Sequence, residues 1–171
     1  MSEKGGSSPA SLFMLFAVTA ALATSAGAAM VHTTEATYLP DAAASRVVTV
    51  AKDGPAEAGV TVLTEGVAIK ETGPKATVKR FGEVYAFAPA FIAVHRDEPT
   101  RISFWNLQPD DEHDFMLADP QSKVLMHVLL TPLKETAYVF TFHQEGLFTF
   151  YCTMHQPAMS GQLLVLPPRS R

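Results

Sequence analysis

From Ala76 onward, short stretches rich in β-branched and aromatic residues follow one another closely, each ended by turn-forming residues. They are Thr77–Ala88, Phe91–Arg96, Arg101–Leu107, His113–Leu117, Lys123–Leu130, Thr136–Phe142, Leu147–Cys152 and Gln162–Leu166. Asp97-Glu98-Pro99, Pro109-Asp110-Asp111, Asp119-Pro120, Thr131-Pro132 and Glu145-Gly146 break them. Many short strands at this spacing predict an all-β sandwich or barrel. A 3.6-residue apolar period is lacking outside the N-terminal run, so long helices are not expected.

The 171 residues accommodate one such domain and an extension. With 47% hydrophobic and 18% charged residues the chain is globular in composition. A net charge of −4 gives no support to a nucleic-acid partner, which demands a basic patch. One cysteine forbids an intramolecular disulfide and a Cys-rich zinc or iron–sulfur site.

Residues 1–31 are dominated by an apolar run, Leu12 to Val31, close to the ~20 residues a helix needs to cross a bilayer. Two readings stay open. Ala26-Gly27-Ala28 has the small-x-small pattern of a signal-peptide cleavage site, but Glu3 offsets Lys4 in the n-region and the run exceeds the usual signal core. The Ala- and Thr-rich second half is poor membrane material, yet the length favours an uncleaved anchor. Both readings place the rest of the chain outside the cytoplasm, periplasmic or otherwise extracytoplasmic. Residues 32–75 read as a linker with possible edge strands at Val47–Val50 and Val60–Leu63, broken by Lys52-Asp53-Gly54-Pro55 and Gly73-Pro74. Residues 76–171 read as the folded domain.

Chemistry concentrates near the end of that domain. Cys152, His155 and Met159 follow an aromatic strand in the spacing C-x-x-H-x-x-x-M, and Gly161 precedes an apolar strand. Thiolate, imidazole and thioether together suit copper when a second imidazole comes from elsewhere. His113 is the candidate, because alternation lets it and Cys152 both approach the interior from strand ends: Phe148, Phe150 and Cys152 share one strand face, and His113, Phe115 and Leu117 share another. The four expected metal ligands are therefore His113, Cys152, His155 and Met159, holding one copper ion that cycles between Cu(II) and Cu(I). A carboxylate from Glu83 is a remote alternative to the Met159 thioether. Asn106 is expected near His113. The acidic turn Asp110-Asp111-Glu112 is expected to be solvated, and His32, His95, His127 and His143 to be ordinary histidines. Met116, Met126 and Met154 read as gap-filling methionines.

On these residues the chain resembles the cupredoxins, the Greek-key β-sandwiches of blue copper proteins. His113-Asp114-Phe115 and the C-x-x-H-x-x-x-M-x-G loop carry the resemblance over about residues 76–168. Within that family it is most similar to the periplasmic CuA domains of cytochrome oxidase subunit II and nitrous-oxide reductase. The similar stretches are Leu130 to Ala137, Glu145 to Cys152 and Met159 to Val165. CuA centres bridge two copper ions with two thiolates; a single Cys152 leaves only a mononuclear site. The resemblance implies single-electron transfer to a redox partner, such as a cytochrome or a membrane oxidase or reductase complex, with the N-terminal helix as tether if uncleaved. Copper delivery as a periplasmic chaperone or resistance protein is the rival reading, and a metal-free docking module a third. No paired acid–base constellation points to an enzyme.

Overall fold

The computed structural model describes residues 37–170. The expected N-terminal anchor or signal helix lies outside the described residues, as does His32. Among the described residues no helix is long and apolar enough to cross a membrane.

Among the described residues, ten strands form two five-stranded sheets. The first runs in the order β1 (Val48–Ala51), β8 (Glu135–Phe142), β5 (Thr100–Asn106), β2 (Ala58–Ala68), β3 (Val84–Ala88). The second runs β4 (Phe91–His95), β10 (Ser160–Leu166), β9 (Gly146–Tyr151), β6 (His113–Ala118), β7 (Val124–Leu130). Strands β2 and β5 pair in parallel, as do β4 and β10; the other pairs are antiparallel. Period-2 burial is plain in β4, β9 and β10, where alternate side chains face the space between the sheets. This is the expected β-sandwich.

Two expectations are corrected. Residues 37–75 are more than a linker with edge strands: β1 is an edge strand, as expected, but β2 lies inside the first sheet and is hydrogen-bonded on both sides. Of the Gly- and Pro-rich breaks that read as linker, Lys52-Asp53-Gly54-Pro55 joins β1 to β2, and Gly73-Pro74 leads from β2 into a helix. The long strand expected over Thr77–Ala88 is a seven-residue helix, α1 (Lys75–Phe81), followed by β3. Pro74 opens the helix from an extended conformation, and Gly82, at a φ of 76°, closes it as only glycine does without strain. The β-branched Thr77 and Val78 disguised it, although Pro before and Gly after are helix punctuation.

Between the sheets lies an aromatic core. Phe104, Phe140, Phe142, Phe148 and Phe150 are fully buried. Phe115 bridges the layers, with ring centroids 4.4 Å from Phe104 and 5.6 Å from Phe150. Each buried phenylalanine contributes roughly 1.5–3 kcal/mol by leaving water, and tilted or edge-on ring pairs add to that. Strand β6 is buried along its whole length, so residues on both of its faces are covered.

Gly161 sits opposite Phe150 in the β9–β10 pair. A Cβ added there would lie 2.2 Å from Phe150 Cζ and 2.5 Å from the Ala90 carbonyl oxygen, so a core ring or the backbone must shift. Gly161→Ala is expected to destabilise the fold by about 1–3 kcal/mol, the usual overpacking range. Thermal unfolding checks this: a Tm several degrees lower is expected, and an unchanged Tm would show that the β9–β10 pair yields freely.

Candidate metal centre

The end of β9 and the first residue of β6 meet at one edge of the aromatic core. Strand β6 presents His113 on the core face with Phe115 and Leu117, all three at most 1% exposed. Strand β9 buries Phe148 and Phe150 on its core face, and Cys152, the next residue in that alternation, follows them inward at 0% exposed. The loop then folds back tightly. Cys152 N donates to Met159 O at 3.0 Å, and Met159 N donates to His155 O at 3.0 Å. Gln156 Nε2 donates to Cys152 O at 2.9 Å.

This brings three of the four expected ligands together. Single ligand atoms from His113, Cys152 and His155 all lie within 4.8 Å of one another. His113 Nδ1 is 3.0 Å from His155 Nδ1, and Cys152 Sγ is 3.5 Å from His155 Nδ1. Met159 is fully buried in the core, with its backbone bracketing the loop. His155 is half-buried. Beside it opens a cavity of about 340 Å³, lined in part by Phe81, Met154 and Pro157.

The electrostatics fit a metal. Burial, with a smaller contribution from the charge of His155, lowers His113 to about 4. Burial also lowers His155, against the opposing pull of Asp111, Asp114 and Glu83. Both imidazoles are thus neutral near pH 7, with lone pairs free to ligate. Burial raises the Cys152 thiol to about 11. In a dry pocket a thiolate needs a cation beside it, and a bound metal deprotonates a coordinating thiol outright. Two imidazoles and one thiol, with no second thiol to bridge two ions, suit a single copper ion.

Neighbouring side chains hold this arrangement. Asp114 Oδ1 accepts the Thr153 amide at 2.6 Å, while Oδ2 accepts the Thr153 hydroxyl and lies 3.0 Å from His127 Nε2. A carboxylate directly after His113 is therefore fastened to the residue directly after Cys152. Asn106 Nδ2 donates to Asp111 O and Leu130 O, both at 2.8 Å, steadying the approach to β6. Tyr85, from β3, packs its ring 4.9 Å from that of His113 and 4.6 Å from that of His155. Its hydroxyl donates to Asp111 Oδ2 at 2.5 Å.

Other expectations sort themselves against this geometry. Glu83 lies outside the ligand cluster: it receives the Lys70 amide at 3.0 Å and pairs with Lys70 Nζ at 3.0 Å. Asp111 is not simply solvated, since Tyr85 holds it. Met126 is a core residue and Met116 is buried on the opposite face of β6, whereas Met154 is 49% exposed beside the cavity. His127 is buried and paired with Asp114. His95 bonds Pro167 O, and His143 lies between Thr49 and Asp97, both near the surface. Tyr85, Asp114, His127 and Thr153 were missed as supports. The one sequence signal for Asp114 was its place inside His-Asp-Phe, and alternation assigned it to the outward face.

No family model matches the chain, and no curated protein matches it. Solved structures similar to it include a multicopper oxidase, 17% identical, covering 66% of this chain and 45% of that one with a TM-score of 0.50. This chain thus spans less than half of that oxidase. Auracyanin B is 16% identical over 71% of this chain and 99% of its own, with a TM-score of 0.48. A purple cupredoxin from Nitrosopumilus maritimus is 18% identical over 63% of this chain and 99% of its own, with a TM-score of 0.40. These are likenesses of fold.

The charge states make a prediction. Metal loading near pH 7 is expected to release close to one proton per chain, from Cys152, because both imidazoles already lack theirs. Release falls as pH rises through about 11, where the thiol itself ionises, and increases in acid as His155 and then, through about 4, His113 become further proton sources. Calorimetric titration in buffers of different ionisation enthalpy measures it. Release of no proton near pH 7 would mean that Cys152 is not a ligand.

Proposed function

We propose that this protein is an electron-transfer carrier with one copper ion held by His113, Cys152 and His155, and by the Met159 thioether as a weak axial ligand. The observation that carries this reading is the convergence of two neutral imidazoles and one buried thiol within 4.8 Å. When bound, copper supplies a one-electron couple whose potential is set by the axial ligand and by the apolar, hydrogen-bonded shell around the sulfur. Phe148 and Phe150 keep water from Cys152, while Asp114 and Thr153 fix the loop that carries it.

A carrier is favoured over an enzyme because His113, Cys152 and Met159 are all 0% exposed, so no substrate reaches them directly. The same burial favours retention of copper over its delivery. Electrons would pass at the half-buried His155 edge, where Phe81 and Met154, 65% and 49% exposed, offer an apolar rim to a redox protein. Such a partner is a cytochrome or a membrane oxidase or reductase complex, consistent with the resemblance of Glu145 to Cys152 to CuA domains. An extracytoplasmic location, with residues 1–31 as tether, completes the proposal.

Copper-loaded protein is expected to bind one ion per chain and to show an intense visible thiolate-to-Cu(II) charge-transfer band. Cys152→Ser should abolish the band entirely. Colour that survived this change would remove the basis of the assignment, and metal-free behaviour of the wild type would leave a docking module.

A further inference from the structure

The buried pair formed by Asp114 and His127 lies on the face of β6 turned away from the aromatic core. Alternation puts Asp114 and Met116 on that face, opposite to His113 and Phe115. In the β6–β7 pair Asp114 stands across from Leu129 and Met116 across from His127. His127 is therefore the diagonal neighbour of Asp114 on the same face, within reach of a side-chain contact. The carboxylate is 2% exposed and the imidazole 4%.

Asp114 accepts from Thr153 N and Thr153 Oγ1, and its third partner is His127 Nε2 at 3.0 Å. An ionised carboxylate only accepts, so His127 Nε2 carries the hydrogen. A buried carboxylate that loses one such partner keeps its desolvation penalty without the compensating bond. It then recovers by rotating or by drawing in water, and either movement pulls on the Thr153 amide, next to Cys152. His127 itself has little freedom to follow. Its backbone is pinned to the incoming chain, with Tyr38 N donating to His127 O at 2.8 Å and His127 N donating to Tyr38 O at 3.0 Å.

We propose that His127 is a positioning residue for the metal loop, holding Cys152 in place through Asp114 and Thr153 although it touches no ligand itself. The effect on copper rests on the function proposed above; the effect on Cys152 does not. The outward-facing pair thus links the N-terminal approach at Tyr38 to the sulfur on the far side of the sheet.

The test compares His127→Phe, which loses the donor, with His127→Gln, which restores an N–H in a similar place. In metal-free protein, alkylation of Cys152 by iodoacetamide at fixed pH is expected to be at least about tenfold faster in His127→Phe and within about twofold of wild type in His127→Gln. If His127→Phe does not fold, His127→Ala decides instead: fast alkylation, slowed by added imidazole that refills the donor position. In copper-loaded protein, His127→Phe should shift the Cu(II)/Cu(I) equilibrium about tenfold, or ~59 mV for one electron. Wild-type alkylation rates in His127→Phe, rates in His127→Gln as fast as in His127→Phe, or no effect of imidazole on His127→Ala would each overturn the proposal. A protein that takes up no copper, yet shows the expected alkylation pattern, would refute the electron-transfer reading and leave the role of His127 standing.

Discussion

A thiol and one imidazole are held where water scarcely reaches, with a second, half-buried imidazole beside them, and much of the architecture offsets the penalty for putting them there. Left alone, such donors prefer solvent. Here the opposing contribution comes from the aromatic core: Phe115, Phe148 and Phe150 bury their rings on the same strand faces that carry His113 and Cys152. The burial that stabilises the sandwich is thus the same burial that lowers His113 and raises Cys152. Without a metal the site is neutral near pH 7. With a soft cation it exchanges a thiol proton for a metal–sulfur bond.

A second layer of polar contacts gives this hydrophobic frame its accuracy. Asp114, Asn106 and Tyr85 come from three different strands, β6, β5 and β3, yet each reaches a backbone or side chain within a few residues of a ligand. Charge-assisted and buried hydrogen bonds of this kind fix orientation as well as distance. Tyr85 adds an apolar wall across both imidazole rings while its hydroxyl stays satisfied by Asp111. The lining of the site therefore comes from both sheets.

What was legible in the sequence is what depends on local periodicity. Strand identity from β4 to β10, and the inward face of His113 and Cys152, followed from alternation because one side of these strands is apolar. Parallel pairing of β2 with β5 was not legible: it joins residues about forty positions apart, and nothing local to Ala58–Ala68 encodes it. Helix α1 was hidden by β-branched residues, although Pro74 and Gly82 mark its ends. The roles of Asp114 and His127 were hidden for a different reason. Both sit on the strand faces opposite the aromatic core, and only the tertiary cover over β6 and β7 makes them buried partners.

The central claim is a mononuclear centre with one thiolate and two imidazoles, and X-ray absorption at the copper edge of the loaded protein tests it most directly. The account predicts a single short copper–sulfur bond, two imidazole nitrogens and no copper–copper vector. A metal coordinated without a thiolate sulfur, or a second copper at close range, would contradict it.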